Sequence, residues 1–210
     1  VLLSITLPSS IASIGNRAFE NCVGLKAIDL SSASNITSHL GFDVFTNCTN
    51  LKTIDLSSTK IPYVNYSFEG CTALTNITFP DSLVFIGTCT FLNCTALTTI
   101  DLSKTKVTSI SSYAFDGCMG LTTLKLSSAM FASDNKAYIA SYAFHGCTKL
   151  NAIYIPDDAV SVPAGWDNYN TNAFSGCSEN GIIYYSGSVA NLAINFKDLF
   201  EGLSKWSIGS

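Results

Sequence analysis

Apolar residues recur along the chain in a fixed frame. Phe19, Cys22, Leu25, Ile28 and Leu30 are spaced by three, three, three and two positions, and polar residues fill the gaps. The frame returns as Phe45–Cys48–Leu51–Ile54–Leu56, as Phe68–Cys71–Leu74–Ile77–Phe79 and as Phe91–Cys94–Leu97–Ile100–Leu102. It continues as Phe115–Cys118–Leu121–Leu124–Leu126 and Phe144–Cys147–Leu150–Ile153–Ile155. A decayed seventh copy, Phe174–Cys177 with Ile183 and Tyr185, has Asn180 where Leu is expected. Successive phenylalanines lie 26, 23, 23, 24, 29 and 30 residues apart. Leu2–Ile5–Leu7 is a partial eighth copy, so the chain is expected to begin inside a repeat, as a fragment whose first rung is truncated or covered by another chain.

The L-x-x-I-x-L segment alternates at its end, which predicts one short strand per period. Turn residues follow each strand, as in LPSS (7–10), FPDS (79–82), IPDD (155–158) or DLSS/DLSK. A second apolar pair, such as Ile11–Ile14 or Val107–Ile110, is expected to line the opposite wall before the A-F segment turns the chain back. One strand per period of about 23 residues is a solenoid rung, which cannot bury its apolar side without its neighbours. Periods of 20–29 residues with L-x-x-L-x-L are the signature of leucine-rich repeats. The expected fold is therefore a leucine-rich repeat solenoid, mainly-β or α/β. A curved parallel sheet would form its concave face, with strands about 4.8 Å apart, and short turns or 3-10 segments its convex face. The array covers residues 1–185. Val189, Leu192, Ala193, Phe196, Leu199, Phe200 and Leu203 then follow helical spacing, between Ser188 as N-cap and Gly202 as stop. Residues 186–210 are thus expected to form a C-terminal helical cap over the last rung.

Composition narrows the function classes. The 210 residues are 47% hydrophobic and 12% charged, with net charge −4, enough apolar material for a core and too little charge for a disordered chain. Eleven Lys and Arg with no basic run argue against a nucleic-acid partner. No apolar run approaches 18 residues, so no membrane insertion is expected of this chain, and VLLSITLPSS has no basic stretch of the kind that opens a signal peptide.

Seven of the eight cysteines share one repeat position. A column of parallel side chains is poor disulfide geometry, does not converge on a metal, and has only His39 and His145 as imidazole bases. The remaining reading is packing, with Cys as a small buried hydrophobe and weak S–H donor. Cys89, two residues before Phe91, is off that position and its surroundings stay open. His145 falls where Glu20, Glu69 and Asp116 stand in other copies, a solvent position, and His39 has no nameable partner. No nucleophile–base pair, phosphate loop or metal cluster is evident, so no enzyme activity and no cofactor are expected.

Residues 5–25, ITLPSSIASIGNRAFENCVGL, resemble the BspA-like surface leucine-rich repeats, whose unit reads I-x-L-P-x-S-[IV]-x-x-I-G-x-x-A-F-x-x-C-x-x-L. The resemblance covers about residues 1–185, and the GSV-plus-helix end is weakly similar to the ends of such arrays. It implies a secreted or cell-surface protein of a bacterium or parasitic protist, associated with adhesion to host or microbial surfaces.

A partner would meet the solvent-facing strand positions. The last of these reads Thr6, Asp29, Asp55, Thr78, Asp101, Lys125, Tyr154 and Tyr184 from rung to rung. Tyr is large, rigid and amphipathic, the type enriched at recognition surfaces, so Tyr154 and Tyr184 with Lys125 beside them are the first candidates. Aromatic residues packing on one another as strand neighbours is the structural alternative. Asp29, Asp55 and Asp101 are candidate polar contacts, but two carboxylates on a flat face supply too few oxygens for calcium and no cleft for a glycosidase. The long last periods hold Phe131, Tyr138, Trp166 and Tyr169, and the loop 161–172 has the composition of a protein or glycan contact, or of a lid on the core. The five N-x-S/T sequons at Asn35, Asn47, Asn65, Asn76 and Asn93 are no more than chance supplies. The expected function is a non-enzymatic binding module for a host or microbial surface protein or glycan, the alternative being a passive spacer in a larger cell-surface protein.

Overall fold

The computed structural model describes residues 2–132, 137–157, 159, 172–185, 203 and 205–209. Among them the chain forms, in order, β1 (Ser4–Thr6), β2 (Ala27–Asp29), β3 (Thr53–Asp55), β4 (Tyr63–Val64), β5 (Asn76–Thr78), β6 (Phe85–Ile86) and β7 (Thr99–Asp101). There follow β8 (Ser109–Ile110), β9 (Thr123–Lys125), β10 (Tyr138–Ile139), β11 (Ala152–Tyr154), β12 (Ile182–Tyr184) and β13 (Ser207–Gly209). Every strand pairing is parallel, and successive rungs pair equivalent repeat positions, as in Ile100↔Leu124↔Ile153↔Ile183.

Two walls result. The first joins β1–β2, β3–β5 and β7–β9–β11–β12–β13. Between these groups single bonds continue it, Lys52 N–H to Lys26 O at 3.4 Å and Thr98 N–H to Thr75 O at 3.3 Å. The second wall is β4–β6–β8–β10, extended by the Ile14–Leu40 bridge. It is the wall expected of the second apolar pair: Val64, Ile86, Ile110 and Ile139 all point inward and are fully buried. Strands of two or three residues suffice because each residue's partner lies one rung away.

The A-F-x-x-C segment closes each rung. Phe45, Phe68, Phe91, Phe115, Phe144 and Phe174 are fully buried, and Phe19 in the first full copy of the frame is half-buried. Their rings stack one above the next, with centroids 4.9–5.4 Å apart from Phe19 to Phe174 and neighbouring planes within 11° of parallel. This is within the separation that aromatic pairs favour. All eight cysteines are free. Each repeat cysteine after Cys22 donates its S–H to the carbonyl of the phenylalanine one rung before, Cys71 to Phe45 at 3.0 Å and Cys94 to Phe68 at 3.1 Å. The packing expected of the column is present, and the thiol's donor completes it.

The residue before each repeat cysteine is Asn or Gly because it adopts left-handed backbone, φ 57° at Asn21, 70° at Gly70 and 60° at Asn93. The sequons at Asn47 and Asn93 arise at this position. Asn47 Oδ1 lies over Gly70, where an added Cβ would collide with it.

Two expectations are corrected. The helical cap over 186–210 is not supported. Residues 186–202 lie outside the described residues, while Ser207–Gly209 is a strand, β13, in parallel register with β12. The Trp206 ring lies against Gly181, its Nε1–H donates to Ser178 O at 2.9 Å, and Lys205 pairs with Glu179, so this end continues the sheet. Phe131 is not a loop aromatic: it ends the 3-10 turn Ser128–Phe131, capped by Ser127, and is 2% exposed in the core. That turn is the only helical element among the described residues, so the fold is a leucine-rich repeat built of parallel strands and turns.

Burial pushes the Cys48 thiol up to about 12, and raises Cys71, Cys94 and Cys118 by the same cause. Unfolded thiols ionise near 9.0. Above that pH the unfolded chain loses protons that the folded chain keeps, so stability present below pH 9 is lost as pH rises, by about 1.4 kcal/mol per unit for each such thiol. Thermal unfolding is expected to show a steep fall in Tm above about pH 9, shallower in Cys94→Ala.

Candidate functional site

The sheet's solvent face is laid out by strand register. Asp101, Lys125, Tyr154, Tyr184 and Gly209 are mutual partners across β7, β9, β11, β12 and β13. Four of the candidate residues therefore stand in one continuous row. Tyr154 and Tyr184 stack with centroids 4.5 Å apart and planes 8° from parallel, and Tyr154 is 38% exposed. The packing alternative and the recognition reading are compatible, because the stack uses one face of each ring and leaves Tyr154 open to solvent. Lys125 Nζ donates to Asp101 Oδ2 at 3.0 Å, both side chains being more than 40% exposed. An exposed pair of this kind contributes little stability, but it holds the ammonium beside the tyrosines. A shallow recess of about 430 Å³, lined in part by Asn151, Asn180, Tyr184 and Ser207, lies alongside Tyr184. The row thus offers an aromatic surface, a cation, a carboxylate and neighbouring amides, a mixture suited to reversible recognition.

The aspartates have a local task that their type and place explain. Asp29, Asp55 and Asp101 accept the backbone N–H of Ser31, Ser57 and Ser103 at 2.9–3.0 Å, the Asx-turn that ends the strand where no proline does so. The Ser31 N–H and hydroxyl hold the Asp29 carboxyl below the usual carboxylate range. At Asp101 partial burial opposes ionisation, but the Ser103 hydroxyl and N–H and the Lys125 ammonium outweigh it, and this carboxyl is also lowered. The D-x-S spacing in DLSS and DLSK carried this signal. Asp29 and Asp55 stand on adjoining rungs, apart from the tyrosine end. Trp166 and Tyr169 lie outside the described residues.

Both histidines have partners that the sequence left unnamed. His39 stacks on Tyr63 at 5.1 Å, and its Nδ1 shares a hydrogen bond with Tyr63 Oη at 3.0 Å, on the second wall. His145 Nδ1 lies 2.8 Å from Asp116 Oδ1, one rung earlier at the same repeat position. Aligning the copies by their phenylalanines makes that pair adjacent. Cys89 proves to occupy a repeat position of its own, two before Phe, shared with Tyr66, Tyr113 and Tyr142 in left-handed backbone; its thiol is half-buried. Among the described residues no group of three or more His, Cys, Asp or Glu is arranged to hold a metal.

A family model described as the BspA type leucine rich repeat region matches residues 1–65 and 64–193 in six copies. No curated protein matches the chain. Among solved structures, a leucine-rich repeat protein of T. pallidum superposes with TM-score 0.68 at 22% identity, over 98% of this chain and 87% of that one. A leucine-rich repeat protein from Bacteroides ovatus gives TM-score 0.40 at 21% identity, over 99% of this chain and 66% of that one. A protein described as a leucine rich cell surface protein, from Faecalibacterium prausnitzii, gives 0.35 at 19%, over 98% and 82%. The first of these supports the fold.

A double-mutant cycle with Tyr154→Ala and Tyr184→Ala, read by urea unfolding, is expected to give a coupling of about 0.5–1.5 kcal/mol from the stacked rings. Strict additivity would mean that the rings do not interact in solution.

Proposed function

The chain belongs to the BspA-type leucine-rich repeat family, and we propose that it is a non-enzymatic binding module displayed outside the cell, whose recognition face is the sheet row ending at Tyr154 and Tyr184. The stacked, solvent-facing tyrosine pair carries this reading. Two amphipathic rings fixed by strand register lose little entropy on binding, and Tyr is among the residue types that dominate interface energetics. Lys125 and Asp101 at the edge of the pair supply charge complementarity, which favours orientation and association rate over affinity. The fitting partners are surface proteins or glycans of a host or of other microbes. Binding rather than catalysis is supported by the occupations of the reactive side-chain types: repeat thiols donate to phenylalanine carbonyls and the sheet carboxylates close turns. The extracellular location is supported by the family resemblance. The loop holding Trp166 and Tyr169 is a second candidate contact, proposed on its aromatic and polar composition.

The test is binding of the purified chain to immobilised extracellular-matrix proteins and a glycan panel, with Tyr154→Ala/Tyr184→Ala alongside. Saturable binding weakened about thirtyfold or more in the variant, the effect of losing a hot spot of about 2 kcal/mol or more, is the expected result. Binding retained in full would remove recognition from this row. No binding to any panel member would favour the spacer.

A further inference from the structure

A second constellation lies at the other end of the chain, in the turns that lead into the A-F segments of three rungs. An open recess of about 570 Å³ is lined by Asn16, Arg17, Phe42, Asp43 and Tyr66, drawn from three successive rungs. That volume is within the roughly 300–1,000 Å³ typical of small-ligand sites. Arg17 is the single arginine of the chain. Its Nε donates to Asp43 Oδ2 at 3.4 Å and lies 3.6 Å from Glu20 Oε2. Its terminal Nη groups make no hydrogen bond among the described residues, so two fork donors remain open. Asn16 Oδ1 accepts the N–H of Phe42 at 2.9 Å, which fixes the amide and leaves Nδ2 as a donor. Asp43 Oδ2 is engaged by Arg17, leaving Oδ1 as an acceptor. Phe42 is 45% exposed and meets Tyr66 edge to face, centroids 6.3 Å apart. Arg17 and Asp43 both stand in left-handed backbone at φ 59°, and Arg17 N–H is tied to Phe42 O at 2.8 Å. The backbone that carries these groups is therefore set by rung register before any ligand arrives.

We propose that this recess binds one neutral hexose unit of a glycan through two adjacent hydroxyls. One hydroxyl accepts from Arg17 Nη and Asn16 Nδ2, and its neighbour donates to Asp43 Oδ1. The apolar C–H face of the ring lies against Phe42 and Tyr66. A hydroxyl pair is the ligand that uses adjacent donors and an acceptor together, since each hydroxyl both donates and accepts. Charge selects a neutral sugar over an acidic one, because Asp43 and Glu20 place two carboxylates around a single guanidinium. The site shares no residue with the Tyr154–Tyr184 row, so the two stand or fall separately.

The experiment titrates the ¹⁵N-labelled chain with the methyl glycosides of mannose, galactose and glucose, and with glucuronate. At least one neutral glycoside is expected to shift the Asn16 side-chain amide saturably in the millimolar range and to bind more tightly than glucuronate. Affinity is expected to fall about tenfold or more in Arg17→Met and in Phe42→Ala, both surface changes whose folding is checked by circular dichroism. It should be unchanged in Tyr154→Ala/Tyr184→Ala. No saturable shift with any neutral glycoside, equal affinity in the Arg17 and Phe42 variants, or tighter binding of glucuronate overturns the proposal.

Discussion

Besides the strand pairing, one interior carbonyl ties each rung to the next. Phe45 O accepts the N–H of Cys48 in its own rung and the S–H of Cys71 in the following rung, both at 3.0 Å. Phe68 O does the same for Cys71 and Cys94, and Phe91 O for Cys94 and Cys118. The acceptor has two lone pairs and both are used. The position calls for a side chain small enough to sit between rungs, apolar enough to be buried and able to donate one hydrogen bond. Ser is smaller and more polar, and Leu is too large and has no donor. The ring stack beside the thiols repeats at close to the spacing of neighbouring strands, so rings and strands advance together. Because a rung cannot bury its apolar side alone, stability is a property of neighbouring pairs, as in other solenoids.

The surfaces are consequences of this register. Equivalent repeat positions must stand in rows, so a surface row reads one column of the repeat. Tyr154 meets Tyr184, Asp116 meets His145, and Asn47 Nδ2 donates to Asn21 Oδ1 at 3.1 Å for the same reason. Changes at solvent positions alter a row without disturbing the interior. One scaffold can therefore carry an aromatic row on the sheet and a mixed polar recess in the turns before the A-F segments.

Much of the fold was legible because every rung restates it. Seven copies fixed which residues are internal, and alternation fixed which strand positions face out. The second wall followed from pairs such as Val107–Ile110. Where copies differ the frame gave no guidance. Phe131 sits in the extra residues of a long period, and its burial depends on a 3-10 turn that no other rung repeats among the described residues. At the C-terminus the helical spacing ends at Leu203, and Ser207–Gly209, beyond it, pairs with β12 while Trp206 seats on Gly181. The tyrosine row was legible because it follows one repeat column. The Arg17 recess follows the period too, with Arg17, Asp43 and Tyr66 two positions before Phe and Asn16 and Phe42 three before it, but these turn positions lie outside the strand columns that alternation marks as facing solvent. Asp29, Asp55 and Asp101 face solvent, but their D-x-S spacing encodes a turn.

Counting reactive thiols in the native and the unfolded protein tests the shared-carbonyl column most directly. Cys48, Cys71, Cys94, Cys118 and Cys147 are buried, and Cys22, Cys89 and Cys177 are partly exposed. Labelling followed by intact-mass measurement should find no more than these three modified before unfolding and all eight afterwards, with no disulfide. Disulfides in the native protein, or ready labelling of the five interior thiols, would contradict the account.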